Sequence, residues 1–274
     1  MIKLVITDVD DTIVEEGSRN LNPEYYDIIQ KFREKGVIFA VASGRQKPSI
    51  KKTFFQVKDD IIYLADNGTD IAAGEFVASM KFEDEDYHQL IRDAKALGED
   101  YEIMACRPDC AFIGKDSPKF YERMTKSYGY CAKQVEDVEA LTDICKVSVY
   151  NRKGISSVIE EKMQKLWSDE MDVCMAGDLY LDFMPKDANK GKGLSILQEH
   201  YGITPEETVA FGNADNDIPM LKRAKYSYAV ANASERLKEI ARETIGSMTE
   251  DAVLKKNESN IRKFIEGAML LLRL

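Results

Sequence analysis

The sequence predicts an α/β protein: a Rossmann-like core with a parallel sheet, into which an α+β cap domain is inserted. Strands and helices alternate at both ends of the 274-residue chain, and such alternation predicts a parallel sheet with right-handed crossovers. The pattern changes in the middle, where short hairpins replace the alternation. We therefore expect residues 1–81 and 185–274 to form the core and residues 82–184 to form the second domain.

The N-terminal part of the core contains three predicted strands separated by helices. Residues 2–7 (IKLVIT) are mostly apolar, which is typical of a buried parallel strand. The helix that follows has Asn22 as its N-cap and Pro23 at its first position, and Gly36 ends it. Similar signals predict a strand at 37–42, a helix at 46–55, a strand at 61–65 and a hairpin at 69–80.

The middle segment and the C-terminal part of the core follow two different patterns. The middle segment has helices at 84–97, 117–128 and 155–167, strands on both sides of Arg107-Pro108-Asp109, a strand at 144–150 and two strands around Ala176-Gly177-Asp178. The alternation then resumes with a helix at 191–201 that ends at Gly202, a strand at 208–211, a helix at 217–224, a strand at 226–230 and helices at 234–243 and 258–272.

The charge balance and the apolar pattern exclude several classes of function. The chain has 38 basic and 48 acidic side chains, a formal net charge of −10, and this balance argues against a nucleic-acid partner. It is compatible with an anionic small substrate, because local cations and a metal can outweigh a distant net charge. The sequence shows no signal peptide and no apolar run near the roughly 20 residues of a membrane span. We therefore expect a cytoplasmic protein that does not interact with membranes.

Cysteine and histidine are poorly placed for metal or acid–base chemistry. The five cysteines are an odd number, which favours free thiols, and the close pair Cys106 and Cys110 has no second pair at zinc-ligand spacing. The two histidines, His88 and His200, lie in predicted helices beside charged residues. A mechanism based on a histidine base or a histidine metal cluster is therefore not favoured.

The strongest chemical signal is the segment Asp8-Val9-Asp10-Asp11-Thr12, directly after the first predicted strand. Ligands of open parallel sheets bind beyond the carboxyl ends of the strands, and carboxylates two residues apart in extended chain point to the same side. One carboxylate can therefore attack a substrate while the other transfers protons. A calcium loop that began at Asp8 would need glycine and glutamate where the chain has Ile13 and Arg19. A solvated acidic turn stays an open alternative.

Two further segments are candidates for binding a phosphate group. Ser43 and Gly44 follow the second predicted strand and offer a hydroxyl and backbone amides at the start of a helix, although Ser-Gly is also a common turn. Lys190, at the entry of a later helix, can neutralise phosphoryl charge. The sequence leaves Lys192 open as an alternative.

An acidic cluster, Gly212-Asn213-Ala214-Asp215-Asn216-Asp217, follows another predicted core strand. Oxygen ligands clustered at the end of a strand suit Mg²⁺. Asp and Asn are also preferred helix caps, so a purely structural role is the alternative.

In combination and in this order, the four motifs resemble those of the haloacid dehalogenase (HAD) superfamily of phosphatases. The spacing of the segments Asp8–Thr12 and Gly212–Asp217 carries most of the resemblance, which covers nearly the whole chain and includes 65–68 (ADNG), 229–233 (AVANA) and 250–253 (EDAV). The chain is most similar to the Cof-type branch, whose cap domain is inserted after the third core strand. The residues of the cap are much less diagnostic.

The resemblance implies a role for each motif. Asp8 would attack phosphorus and become an aspartyl phosphate, while Asp10 would protonate the leaving alcohol and then deprotonate the hydrolytic water. Ser43, Gly44 and Lys190 would hold the phosphoryl group. The implied ligands of Mg²⁺ are Asp8, Asp10 through its backbone carbonyl, Asn213 and Asp217.

Asn213 departs from the pattern of the family, which usually has an aspartate there as a direct ligand of Mg²⁺. An amide oxygen is neutral and is a weaker ligand for a hard cation. Asp217 or Asp215 could compensate for the missing charge. We therefore expect weaker magnesium affinity rather than loss of activity.

The sequence thus predicts a magnesium-dependent phosphatase, a monomer or homodimer, that hydrolyses a small phosphorylated metabolite such as a sugar phosphate. A phosphomutase that uses the same nucleophile is one alternative, and a non-catalytic phospholigand-binding protein is another, made plausible only by Asn213. A receiver-type signalling domain fits less well, because its acceptor aspartate follows a later strand and it carries no inserted cap. Arg107, on a turn of the predicted cap, is a candidate for substrate contact.

Overall fold

The structure, a computed structural model, describes residues 1–108, 110–127, 129–176 and 178–259. The chain divides into two compact units. The first comprises Met1–Gly44, Ile50–Val77 and the chain from Asn189 on, and the second comprises Arg45–Ser49 and Ala78–Ala188. The predicted fold class, a parallel-sheet α/β core with a cap, is confirmed.

The helices and strands are numbered in chain order. The strands are β1 (Leu4–Thr7), β2 (Ile38–Ala42), β3 (Ile62–Ala65), β4 (Asp70–Ala73), β5 (Phe76–Ser79), β6 (Tyr101–Arg107), β7 (Cys110–Gly114), β8 (Ala132–Val135), β9 (Lys146–Asn151), β10 (Met171–Ala176), β11 (Tyr180–Pro185), β12 (Thr208–Gly212), β13 (Tyr226–Ala229) and β14 (Glu243–Thr244). The α-helices are α1 (Glu24–Glu34), α2 (Lys47–Thr53), α3 (Asp84–Lys95), α4 (Pro118–Glu122), α5 (Ser157–Trp167), α6 (Lys190–Tyr201), α7 (Ile218–Leu221) and α8 (Glu235–Ile240).

The first sheet is built around parallel strands that are buried on both faces. Its order in the described residues is β14-β13-β12-β1-β2-β3-β4-β5, and all neighbours from β14 to β3 are parallel, whereas β4 is antiparallel to β3. Every residue of β1 and β12 is buried, as their sequences predict. Because these strands are parallel, the residues that follow β1, β2, β3 and β12 lie at one edge of the sheet.

The second sheet is mostly antiparallel and has apolar residues on both faces. Its order in the described residues is β10-β11-β9-β6-β7-β8, and only the pair β7 and β8 is parallel among the pairings observed there. On one face, Val147 and Val149 belong to a core that includes Trp167 of α5. On the other face, Tyr150 stacks on Phe120 of α4, with ring centroids 4.8 Å apart. The second unit therefore has its own buried core.

The structure differs from the predictions where elements are short. The helix predicted at 117–128 is α4 followed by a π-helical turn at Arg123–Ser127, and the helix predicted at 217–224 is a 3₁₀ turn at Asp215–Asp217 followed by α7. Pro23 is the N-cap of α1 rather than its first helical residue. The helix predicted at 258–272 falls mainly outside the described residues. Within the described part of the chain, no helix is long and apolar enough to cross a membrane.

Candidate active site

The carboxyl ends of β1 and β12 bring two acidic segments together. Asp8 directly follows β1, and its backbone N–H donates to the carbonyl of Phe211 in β12 at 3.0 Å. Asn213 and Asp217 follow β12, in a turn whose 3₁₀ part ends at Asp217. Segments far apart in sequence thus meet at one edge of the sheet, as the order of the parallel strands requires.

Lys190 links the two acidic segments. It is the first residue of α6, and its Nζ lies 2.6 Å from Oδ1 of Asp8 and 2.6 Å from Oδ1 of Asp217. The start of the helix is fixed by Asn189, whose side-chain oxygen accepts a hydrogen bond from the N–H of Lys192. Lys190 is only 1% exposed, whereas Lys192 is exposed. The structure therefore brings Lys190, and not Lys192, to the acidic residues.

Asp217 uses both of its carboxylate oxygens. Oδ1 contacts Lys190, and Oδ2 accepts hydrogen bonds from the backbone N–H groups of Asn213 (3.0 Å) and Ala214 (3.1 Å). The carboxylate fits because position 212 is glycine: a Cβ on Gly212 would lie 2.6 Å from Cβ of Asp217. The contacts of Asp217 position Lys190 and the turn after β12. Metal ligation by Asp217 stays a prediction.

Burial dominates the electrostatics of Asp8. Desolvation raises the pKa of Asp8 to about 7, the charge of Lys190 opposes this rise, and the charges of Asp217 and Asp10 add to it. Oδ2 of Asp8 accepts a hydrogen bond from the Thr12 hydroxyl at 2.9 Å. Burial lowers the pKa of Lys190, but the charges of Asp217 and Asp8 outweigh burial and raise this pKa above its ordinary value. The lysine therefore stays charged, and its single charge does not fully compensate the carboxylates.

Asp10 lies in a tight turn beside the buried carboxylates. The N–H of Val14 donates to the carbonyl of Val9 at 3.1 Å, and Oδ1 of Asp10 accepts a hydrogen bond from the N–H of Gly17 at 3.0 Å. Asp10 is half-buried, whereas Asp8 is buried. Asp10 is therefore more accessible to solvent than Asp8 is.

Ser43 and Gly44 are held at the end of β2 by the end of β3. The N–H of Ser43 donates to the carbonyl of Leu64 (2.9 Å), and the carbonyl of Ser43 accepts a hydrogen bond from the N–H of Asn67 (2.9 Å). A Cβ on Gly44 would lie 3.3 Å from Oδ1 of Asn67, and this oxygen accepts a hydrogen bond from Nδ2 of Asn216 at 3.1 Å. Asn67 thus connects the Ser43–Gly44 segment to the turn after β12.

The sequence did not assign roles to Thr12, Asn67 and Asn216, although each contacts the predicted motifs. Asn67 follows β3, a strand parallel to β2, and a polar residue at the carboxyl end of a parallel strand is the signal that could have found it. Thr12 and Asn216 lie inside the recognised motifs, but their hydrogen-bond partners depend on the tertiary structure.

Arg107 lies in the second unit, at the end of β6. Its Nε donates to the carbonyl of Thr142 at 2.7 Å, and its guanidinium lies over the ring of Phe112, 5.2 Å from the centroid. These contacts stay within the second unit. Substrate contact by Arg107 therefore stays a prediction.

The oxygen atoms at the edge of the first sheet fit a hard divalent cation. Asp8, Asp10 and Asp217 bring three carboxyl groups to the ammonium of Lys190, and a divalent ion would offset the repulsion among them. In the described part of the chain, no group of three or more His, Cys, Asp and Glu side chains is close enough to hold a metal. A site here would therefore need neutral oxygen ligands as well, and the amide of Asn213 and the backbone carbonyl of Asp10 are such ligands.

Proteins of known structure or activity resemble this chain along most of its length. Residues 5–256 match the family model of haloacid dehalogenase-like hydrolases. The 5-amino-6-(5-phospho-D-ribitylamino)uracil phosphatase YbjI of Escherichia coli is 25% identical over 255 residues, which cover 92% of this chain and 94% of that protein. A solved structure from Eubacterium rectale has a TM-score of 0.87 and 30% identity, covering 94% of this chain and 98% of that one. A HAD/COF-like hydrolase from Plasmodium vivax has the same fold, with a TM-score of 0.83, 22% identity and 94% coverage of each chain.

Proposed function

Because the chain belongs to the haloacid dehalogenase-like hydrolase family, in its Cof-type branch, we propose that it hydrolyses a small phosphorylated metabolite through an aspartyl-phosphate intermediate, with Mg²⁺ as cofactor. The chain is a phosphoric monoester hydrolase. The metal, the intermediate and the role of each residue are the proposed parts.

The observation that carries the proposal is the buried contact of Lys190 with both Asp8 and Asp217 at 2.6 Å. A buried carboxylate beside a fixed ammonium is suited to act as a nucleophile toward an anionic group, because the ammonium stabilises charge on the phosphoryl oxygens as it develops. Since the ammonium is held by two carboxylates, it requires little reorganisation during the reaction.

The proposed chemistry gives Asp8 and Asp10 different roles. A carboxylate oxygen of Asp8 attacks phosphorus, the bond between phosphorus and the leaving oxygen breaks, and Asp10 donates its proton to that oxygen. Asp10 then accepts a proton from a water molecule, whose oxygen attacks phosphorus and releases Asp8. Ser43, the backbone of Gly44 and Lys190 hold the phosphoryl group in both steps.

The proposed metal ligands are Asp8, the backbone carbonyl of Asp10, Asn213 and, directly or through water, Asp217. A divalent ion would supply positive charge that reduces the repulsion between the Asp8 carboxylate and the anionic substrate. Lys190, which Asp217 positions, supplies further positive charge.

The substrate class is proposed from the relatives and from the net charge. The E. coli relative is a phosphatase of a phosphorylated ribitylamino compound, by its name, so a sugar phosphate or similar metabolite is the proposed substrate. The net charge of −10 argues against a nucleic-acid substrate, because nucleic acid is itself negatively charged. A cytoplasmic location and a monomeric or homodimeric state stay predictions from the sequence.

Turnover of para-nitrophenyl phosphate in the presence of Mg²⁺ tests the proposal. We expect Asp8→Asn to reduce turnover by roughly 10³-fold or more, because the nucleophile is removed while the shape of the side chain is kept. The neighbouring Asp11→Asn is the matched control and should retain activity, since Asp11 has a left-handed backbone conformation (φ 53°) that asparagine also tolerates.

Two other outcomes would replace the proposal. If the wild-type protein binds phosphate but shows no turnover, the chain is a phospholigand-binding protein, the alternative that Asn213 favours. If a sugar bisphosphate yields an isomerised monophosphate rather than free phosphate, the chain is a phosphomutase that uses the same nucleophile.

A further inference from the structure

Two cysteines of the second unit are neighbours across the parallel strands β7 and β8. Cys110 is the first residue of β7 and Cys131 directly precedes β8. The residues that follow them, Ala111 and Ala132, are paired in register, and the N–H of Ala111 donates to the carbonyl of Cys131 at 2.8 Å. Neighbouring strands lie about 4.8 Å apart, which is within the range of roughly 4.4–6.8 Å that a disulfide requires between Cα atoms.

The two thiols differ in accessibility. Both are free, and the Cys110 thiol donates to the carbonyl of the next residue, Ala111, at 3.5 Å. Cys131 is exposed, whereas Cys110 is half-buried. Paired residues of a parallel ladder point to the same side of the sheet, so the thiols need no change of strand register to meet.

The other cysteines are less suited to the same reaction. Cys106 and Cys145 are buried, and the thiol of Cys145 is hydrogen-bonded to the carbonyl of Cys106 at 3.2 Å. Burial raises the pKa of the Cys174 thiol to about 12, which makes its thiolate scarce. Cys131 is therefore the thiol that a dissolved oxidant meets first.

We propose that Cys110 and Cys131 are a modification site, a dithiol that low-molecular-weight disulfides of the glutathione type oxidise to a reversible intramolecular disulfide. The thiolate of Cys131 attacks a sulfur of the reagent, forms a mixed disulfide and releases one reagent thiol. Cys110 then loses its proton, attacks the Cys131 sulfur and releases the second reagent thiol. The two cysteines lose two protons and two electrons, and the reagent gains both.

The environment of Cys110 sets the order of these steps. Burial and the neighbouring Cys131 raise the pKa of Cys110, whereas the charges of Lys133 and Arg107 lower it. The net effect is a rise, so Cys110 is the poorer initial nucleophile. It becomes effective only when Cys131 holds the mixed disulfide beside it, where proximity replaces collision with a second molecule.

Oxidation of the full-length protein by glutathione disulfide tests the proposal. We expect the wild-type protein to lose two hydrogens in mass, and we expect peptide mapping to join Cys110 to Cys131. Cys110→Ser should accumulate one glutathione adduct on Cys131, and Cys131→Ser should react slowly. Cys174→Ser is the matched control and should form the disulfide as the wild type does.

The stability of the second unit provides an independent readout. A bond that closes the segment between residues 110 and 131 reduces the freedom of the unfolded chain, so oxidation should raise the unfolding temperature of the wild-type protein and leave that of Cys131→Ser unchanged. Dithiothreitol should reverse the shift. A stable glutathione adduct on the wild-type protein, or a disulfide that involves another cysteine, would overturn the proposal.

Discussion

Asn213 is the residue at which the proposed metal site is weakest. Its backbone is held on both sides: its N–H donates to Asp217, and its carbonyl accepts a hydrogen bond from the N–H of Ser234 at 2.8 Å. A change of the side chain should therefore leave the turn in place. We expect Asn213→Asp to lower the Mg²⁺ concentration for half-maximal turnover by about tenfold, because a charged oxygen replaces a neutral one.

Binding can be measured without turnover, as the rise in unfolding temperature on addition of Mg²⁺. Asp215→Asn is the control and also tests whether Asp215 compensates for the missing charge. Its exposed carboxylate is held by Arg236 at 2.8 Å and by the hydroxyl of Ser234 at 2.6 Å, so its loss should leave the Mg²⁺ dependence unchanged. If Asn213→Asp binds Mg²⁺ no more tightly than the wild type, residue 213 is not a ligand.

Single residues also show where sequence reasoning reaches its limit. The sequence identified Asp8 and the acidic cluster from their positions after predicted strands, but it could not choose between Lys190 and Lys192. That choice depends on the direction of the first turn of α6, which the cap at Asn189 fixes. The hydrogen bonds of Asp217 to Asn213 and Ala214 are likewise tertiary features that spacing alone does not reveal.

At the scale of elements, α6 packs closely on α7 in the proposed site. A Cβ on Gly191 would lie 2.5 Å from the backbone carbon and oxygen of Pro219, and backbone atoms cannot move aside cheaply. We expect Gly191→Ala to lower the free energy of unfolding by about 1–3 kcal/mol. Turnover should fall as well, because the adjacent Lys190 is displaced from Asp8.

Chemical denaturation and turnover of an aryl phosphate measure these two effects. Lys192→Ala, on the exposed side of the same turn, is the control and should change neither quantity greatly. An unchanged stability of Gly191→Ala would mean that α6 can shift away from α7 without loss.

The second sheet contains a buried ion pair between neighbouring strands. Nζ of Lys146 in β9 lies 2.8 Å from Oδ2 of Asp182 in β11, and both side chains are 4% exposed. Ser148 also donates to Oδ1 of Asp182 at 2.6 Å. We expect Lys146→Met to lower the free energy of unfolding by about 3–5 kcal/mol, because it leaves a buried carboxylate without its cation.

The double variant Lys146→Met with Asp182→Asn should regain most of this loss, since the amide keeps an acceptor for Ser148 and carries no charge. Lys153→Met, which removes an exposed pair with Asp100, is the matched control and should have little effect. If the double variant is no more stable than Lys146→Met alone, the ion pair is not the origin of the loss.

The elements that the sequence predicted and those that it missed differ in burial and length. β1, β2 and β12 are buried apolar strands, and apolar runs of this kind carry a clear signal. β8 (AKQV) contains no residue classed as buried, and β14 has two residues, so neither has a pattern long or apolar enough to detect. The π-helical turn after α4 has no known sequence signal of comparable strength.

At the scale of the whole molecule, each unit has its own sheet and buried residues. Domains of this kind often unfold in separate steps. The single tryptophan of the chain, Trp167, lies in the core of the second unit and is 6% exposed. Its fluorescence therefore reports the unfolding of the second unit, whereas far-ultraviolet circular dichroism reports that of both units.

This difference allows ligand binding to be assigned to one unit. Binding stabilises the unit that holds the ligand, and Asp8, Lys190 and Asn213 all belong to the first unit. Mg²⁺ together with inorganic phosphate should therefore raise the temperature of the transition that circular dichroism detects and Trp167 fluorescence does not. The Trp167 transition should stay at its original temperature. In Asp8→Asn, which weakens the proposed metal site, the shift should be smaller. Equal shifts of both signals would show that the two units unfold as one cooperative structure, and a shift of the Trp167 signal alone would move the binding site to the second unit.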